Sequence, residues 1–335
     1  MAAGNRSKIR IVTRLVVAVG AVSALSAMPA PASAQDASNW PRQPVKMIVG
    51  LAPGAINDLQ GRIIAQKLSE RLKQPVVVEN KPGAGGNIGA EFVARAAPDG
   101  YTLLVAPTAT LVINTAVYSK LNYDPIRDYA PITQITEYPL YLTVNASTSV
   151  KSVKDLIAYA KANPAKANHA SPATTFELLC ALFEQKTGTK FVTIPFKSNA
   201  QTMGAVLNGQ AMIVFTDYGN LSAQMKANKV RPLAATSRKR SRQMPNLPTL
   251  GELGYKGVEM LPLTGIVAPK ATPAPIVDKL YREITAVLKD PAVKARFEDL
   301  GLDIVSSTPK EFAAMIDRES ARWKAVAAKA NIKLD

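Results

Sequence analysis

The residues best placed to do chemistry are two glycine-bearing turns, Ala52-Pro53-Gly54-Ala55-Ile56-Asn57-Asp58 and Asn80-Lys81-Pro82-Gly83-Ala84-Gly85-Gly86-Asn87. Each stands between an apolar β-branched run and a stretch of helical periodicity, which places a helix N-terminus at the carboxyl end of a strand. The first amides of a helix have no intrahelical acceptor, and the helix dipole is positive there. Two such ends along one sheet edge make a grip for a small carboxylate. The residue types for most covalent mechanisms are missing. His169 is the sole histidine, so a Ser-His-Asp or Cys-His mechanism must run through it, and the chain has no Gly-x-Ser-x-Gly elbow. Its bland reading is a polar residue at a strand end. Cys180 is the sole cysteine, which excludes an intrachain disulfide and cysteine-rich zinc, and its apolar neighbours predict burial. Gly83, Gly85 and Gly86 do not form a dinucleotide fingerprint, because Ile88 stands where its last glycine belongs. No metal or cofactor is expected.

The elements that position these turns read as alternating strands and helices, hence an α/β architecture with mainly parallel sheets. Residues 45–49 form the first strand. Leu59, Ile63, Ile64, Leu68 and Leu72 recur at helical spacing, with Asn57 or Asp58 as the expected cap. Residues 76–79 and 102–105 complete a β-α-β-α-β unit whose glycine turns lie where ligands bind in open α/β sheets. A second unit begins at residues 140–144. Ser152 and Asp155 then resemble a capping box, and strands follow near 191–194, 212–215 and 233–236. Beyond Pro245 and Pro248, residues 265–268 make another strand and a helix opens at Pro273. The last helix carries Thr308 as cap, Pro309 in its first turn and Glu311 closing a capping box, with Phe312, Ile316, Trp323 and Val326 on its apolar face. If this helix pair returns to the first domain, that domain is discontinuous. Residues 35–139 and 262–335 then form domain I and residues 140–261 domain II, joined by two crossovers.

The N-terminus indicates export. Arg6, Lys8, Arg10 and Arg14 precede an apolar run and the small-residue site Ala32-Ser33-Ala34, which reads as a signal peptide over residues 1–34, cleaved near Ala34/Gln35. Its loss removes four basic and no acidic side chains, so the net charge of +16 becomes +12. In an exported protein this charge suits anionic solutes or solubility, and nucleic acid is not an expected partner. The cluster Arg238-Lys239-Arg240-Ser241-Arg242 reads as a solvated surface loop.

Several motifs together resemble one family. They are Trp40-Pro41 with Pro44, the loop 52–58, the run Val76-Val77-Val78-Glu79-Asn80-Lys81-Pro82-Gly83-Ala84-Gly85-Gly86-Asn87-Ile88-Gly89, and Pro98-Asp99-Gly100-Tyr101-Thr102. Tyr123-Asp124-Pro125 with Asp128, Lys151-Ser152-Val153-Lys154-Asp155-Leu156, and Ala235-Thr236-Ser237 through Leu247-Pro248-Thr249 extend the match over nearly the whole mature chain. The chain resembles the TctC/Bug family, extracytoplasmic solute-binding proteins of tripartite tricarboxylate transporters. The resemblance implies a periplasmic location and a type II periplasmic-binding-protein fold, two α/β domains joined by a two-crossover hinge with the ligand cleft between them. It implies capture of a small carboxylate-bearing solute and delivery to a membrane complex of one large and one small subunit. A ligand-sensing role without transport is the alternative, and a periplasmic enzyme using paired carboxylates is the rival class.

The family's cleft positions correspond to Pro53, Gly54, Ala55, Ile56, Asn57 and Asp58, then Thr108 and Ala109 after the third strand. In the second domain they are Ser171, Pro172, Ala173 and Thr174, then Lys197 and Asp217. Ala55 replaces the second glycine of the family's Pro-Gly-Gly-x-x-Asp loop, reducing its backbone freedom. Asp58 either caps its helix or touches the ligand. The hydroxyls of Thr108 and Thr110 either donate to a carboxylate or cap a helix. Lys197 either neutralises a carboxylate or is solvated. The segment after Ser171 is two residues shorter than in the family and lacks glycine, so the pocket wall differs and a known solute does not transfer.

Overall fold

The computed structural model describes residues 39–334; the expected signal peptide and its cleavage point lie outside them. Strand β1 (Val45–Val49) leads to helix α1 (Ile56–Leu72), then β2 (Val76–Asn80), α2 (Asn87–Ala94) and β3 (Thr102–Pro107). A π-helical turn (Ala109–Ile113) and one further turn, α3 (Asn114–Val117), precede the long strand β4 (Tyr129–Glu137). The chain then passes into β5 (Tyr141–Asn145), α4 (Val153–Ala162), β6 (Asn168–Ser171), α5 (Thr174–Thr187), β7 (Val192–Pro195), α6 (Asn199–Leu207), β8 (Ile213–Thr216), α7 (Tyr218–Lys226) and β9 (Val230–Ala235). It returns through β10 (Leu263–Pro269), α8 (Ala274–Leu288), α9 (Pro291–Asp299), β11 (Asp303–Ile304) and α10 (Pro309–Ala330).

Two sheets result, one per lobe. Lobe I holds the order β11-β4-β10-β3-β1-β2 and lobe II the order β7-β6-β8-β5-β9. The expectation of mainly parallel sheets is corrected: β1 pairs parallel with β2 and β3, and β6 with β7 and β8, while all pairings of β4, β5 and β10 are antiparallel. Two crossovers explain this. The chain leaves lobe I along β4 and re-enters along β10, so these neighbours must run in opposite directions; β5 and β9 obey the same rule in lobe II. Strands β4 and β11 were not expected, and β6 only as a strand end at His169. Pro131 and the buried polar side chains of Thr133, Gln134 and Thr136 mask the alternation in β4, and β6 is only four residues long.

The last helix docks as its capping box and apolar face foretold. Thr308 Oγ1 accepts from Glu311 N–H, and the Glu311 carboxylate accepts from Thr308 N–H at 2.9 Å. Phe312, Ile316, Trp323 and Val326 are buried against β4, the π turn and α3 of lobe I, and the helix also touches α5 of lobe II. On the opposite face of the lobe I sheet, α1 and α8 pack together, with Ile64, Leu68, Ile276, Leu280 and Ile284 in one apolar cluster. Cys180 is buried as expected, and burial pushes its thiol up.

Gly265 lets α10 approach the hinge strand. A Cβ there would lie 2.0 Å from Phe312 Cζ, a ring that is itself fully buried. Gly265→Ala is therefore expected to destabilise the protein by about 1–3 kcal/mol through overpacking, measured as a lower denaturation midpoint at unchanged m-value. An unchanged midpoint would show that α10 shifts freely over β10.

Candidate functional site

The carboxyl ends of β1 and β3 in lobe I and of β6, β7 and β8 in lobe II carry the loops predicted to bind solute. At the end of β1 the chain turns through 50–55 into α1. Its N-cap is Ala55, with φ −64° and ψ 155°, and no side chain caps it. This corrects the expectation of Asn57 or Asp58 as cap: both lie inside the first turn and are buried. The extended conformation of Ala55 is open to any residue, so alanine in place of glycine does not strain the loop.

Asp58 turns inward. Its Oδ2 accepts from Gly54 N–H at 2.9 Å, both oxygens accept from Arg62 Nε at 3.0 Å, and Oδ1 accepts from Asn80 Nδ2 at 3.0 Å. Asn80 also donates to Leu51 O at 2.9 Å, and its Oδ1 accepts from Arg62 Nη2 at 2.9 Å. Burial alone would raise the Asp58 carboxyl, but the hydrogen bonds from Arg62, Gly54 and Asn80 outweigh it and hold the group below the usual range. The carboxylate thus staples the 51–54 loop to β2, and Gly54 N–H is consumed in doing so.

The next two polar side chains tie α1 to the hinge strands. Asn57 Nδ2 donates to Thr264 Oγ1 of β10 at 2.7 Å, and Gln60 Oε1 accepts from Thr136 Oγ1 of β4 at 2.5 Å. What remains for an anion is backbone: among the described residues, the amides of Ile56, Asn57 and Asp58 meet no protein acceptor. Pro53 and Gly54 form the exposed rim of the loop.

Lobe II presents a matching end. Ser171 Oγ donates to Ala173 O at 2.9 Å, and Ala173, in extended conformation, is the N-cap of α5 without a side-chain cap. Phe176 N–H already bonds Ala173 O, while the amides of Thr174 and Thr175 meet no acceptor among the described residues. Pro172 and Ala173 border this end, half-buried and exposed respectively. The neighbouring helices are closed. Ser198 caps α6, and Asp217 caps α7, its Oδ1 accepting from Asn220 N–H at 3.0 Å and its Oδ2 from Asn199 Nδ2 at 2.9 Å. Of the three lobe II helices that start at this edge, α5 alone is left open.

Thr108 and Thr110 tie loops together through their hydroxyls. Thr108 Oγ1 accepts from Leu263 N–H at 2.7 Å, joining the end of β3 to the start of β10, and Thr110 Oγ1 donates to Pro107 O at 3.2 Å. Ala109 is half-buried at the start of the π turn. The Lys197 side chain is exposed, while its amide donates to Gln201 Oε1 at 2.9 Å. The second glycine turn serves close packing, since a Cβ on Gly50 would lie 2.7 Å from Gly86 O. Beside the crossover lies a cavity of about 210 Å³ whose lining includes Thr108, Glu137, Arg238, Arg322 and Trp323. Only Thr108 among these was foreseen as a site residue. Glu137 ends β4, and without that strand its place beside the crossover had no signal.

His169, the one residue able to support imidazole catalysis, is the second residue of β6 and fully buried. Its ring packs edge-on against Phe215 at 5.7 Å, and neither nitrogen has a hydrogen-bond partner. Burial pushes its pKa down from 6.5 to about 3. The folded state therefore binds fewer protons than the unfolded state between these values. The neutral ring's contribution is complete above pH 6.5 and is lost as pH falls toward 3, by up to about 1.4 kcal/mol per pH unit. His169→Leu should lose about 2 kcal/mol less stability than the parent between pH 7 and pH 4.5, read from urea unfolding. Equal losses would mean that His169 is protonated without cost.

Comparison with known proteins agrees with this fold. The model for the tripartite tricarboxylate transporter family receptor, TctC, matches residues 61–332. Protein BugT of Bordetella pertussis is 34% identical over 328 residues, 96% of this chain and 99% of the relative. Among solved structures, an R. palustris protein with adipate superposes with TM-score 0.79 at 31% identity, covering 88% of this chain and 99% of that one. MatC from Rhodopseudomonas palustris with bound malate superposes with TM-score 0.76 at 29% identity, covering 86% and 99%. With its fold, its two lobes and the match over most of its length, the chain belongs to the TctC family of tripartite tricarboxylate transporter receptors.

Proposed function

We propose that this protein is a periplasmic solute-binding protein that captures a small dicarboxylate between its lobes and delivers it to a tripartite tricarboxylate-type membrane transporter. One observation carries the reading: α1 in lobe I and α5 in lobe II, which start at the carboxyl ends of β1 and β6, lack side-chain caps and leave free amides in their first turns. Each end suits one carboxylate through aligned N–H groups and a favourable dipole. Two ends suit a solute with two carboxylates, the class to which the adipate and malate of the related structures belong.

In this reading residues 35–139 with 262–335 move as one body and residues 140–261 as the other. They hinge at the crossovers 138–140 and 260–262, and closure replaces the solute's hydration shell. Pro53, Gly54, Ala55 and Ile56 form the lobe I rim, with Ser171, Pro172, Ala173 and Thr174 opposite. Capture involves no covalent step. Export through the N-terminal signal peptide puts the protein where a transporter of two membrane subunits can receive its load.

A thermal-shift screen of the mature protein against mono-, di- and tricarboxylates, aromatic acids, amino acids and nicotinate tests this directly. A dicarboxylate at a hundredfold excess over its Kd should stabilise the fold by about 2.7 kcal/mol, a rise of several degrees, and be recovered unchanged. Conversion of a hit to product, or stabilisation by monocarboxylates only, would overturn the reading.

A further inference from the structure

The basic loop 238–242 is more than a solvated surface. Its arginines divide between the lobes. Arg240 stays within its own surroundings, its Nε donating to both Glu252 oxygens at 3.0 Å. Arg242 reaches the other lobe, with Nη2 2.9 Å from Asp303 Oδ1 on β11 and Nη1 3.0 Å from Glu298 Oε1 on α9. The adjacent Ser241 is buried, its Oγ 2.7 Å from Tyr141 OH, which fixes the loop to the first residue of β5. Beside this bridge the lobes are in tight contact, since a Cβ on Gly301 would lie 2.8 Å from Tyr218 Cβ at the start of α7.

We infer that Arg242 is an affinity-setting positioning residue, a latch that favours the closed arrangement of the lobes without touching the solute. Arg322 also crosses, but it donates to Gly257 O and Glu259 O, within a few residues of the second crossover, so its contact lies at the hinge. Glu298 and Asp303 belong to the lobe I body and Arg242 to the segment 140–261, so these pairs tie one body to the other. The pairs are partly exposed, with 60% of the Arg242 side chain open to solvent. Each is therefore weak and screened by salt, and the latch should shift the closure equilibrium by about three- to tenfold.

The latch affects affinity only if solute binds between the lobes, so the first measurement needs no solute. Spin labels at Val77→Cys on β2 and Val192→Cys on β7 report the distance between the exposed edge strands farthest from the crossovers; native Cys180 is buried. At low salt the parent should be mainly in the closed distance population and open as NaCl is raised to about 1 M. Arg242→Ala should lower the closed-to-open ratio about three- to tenfold already at low salt. Arg240→Ala, which removes the same charge from the same loop, should behave as the parent. Arg242→Glu combined with Glu298→Arg and Asp303→Arg should restore closure. A distribution in Arg242→Ala identical to the parent's would overturn the latch, whatever the solute screen shows. With a dicarboxylate in hand, Arg242→Ala should raise Kd by up to about threefold and flatten its salt dependence. An unchanged Kd would equally overturn it.

Discussion

The structure depends on how one buried carboxylate is disposed. Asp58 sits in the first turn of α1, where a negative charge facing the cleft would repel an anionic solute. It faces inward instead, held by Arg62, Asn80 and the amide of Gly54. Arg62 neutralises it across one helical turn, 3.0 Å away. The charge stabilises the turn, and the helix end stays electropositive with three amides free. A side-chain cap would have used the donors that an anion needs.

The same helix is tied to the moving parts. Asn57 and Gln60 bond the hinge strands β10 and β4, so the donor set of lobe I is rigidly placed relative to the crossovers. In lobe II, Ser198 and Asp217 close the helices on either side while α5 is left open. In the proposed reading, selective capping in lobe II leaves one helix end open to the solute. Arg242 adds a weak tie across the lobes that biases the approach of the two donor sets.

Much of this was legible in the sequence. The β1-α1-β2-α2-β3 unit follows from apolar periodicity and glycine turns, and the α10 capping box was readable from Thr308, Pro309 and Glu311. The motif resemblance supplied the two-lobed fold that periodicity alone could not. What escaped detection has physical causes. Antiparallel and parallel strands share one side-chain period, so the direction of β4 and β10 was hidden. The short β6 buries a histidine without hydrogen bonds, contrary to its usual preference. Asp58 looked like a cap because aspartate at a helix start commonly is one; only its contacts with Arg62 and Asn80 show otherwise. The split of the arginines in 238–242 depends on tertiary neighbours 12 to 61 positions away.

The most direct test is backbone amide NMR of the mature protein during titration with a dicarboxylate that stabilises it. If the helix ends grip the solute, the amide resonances of Ile56, Asn57 and Asp58 in lobe I should shift downfield together with those of Thr174 and Thr175 in lobe II, at one common saturation point. Saturable binding that leaves either set unmoved would contradict a carboxylate held between the open ends of α1 and α5.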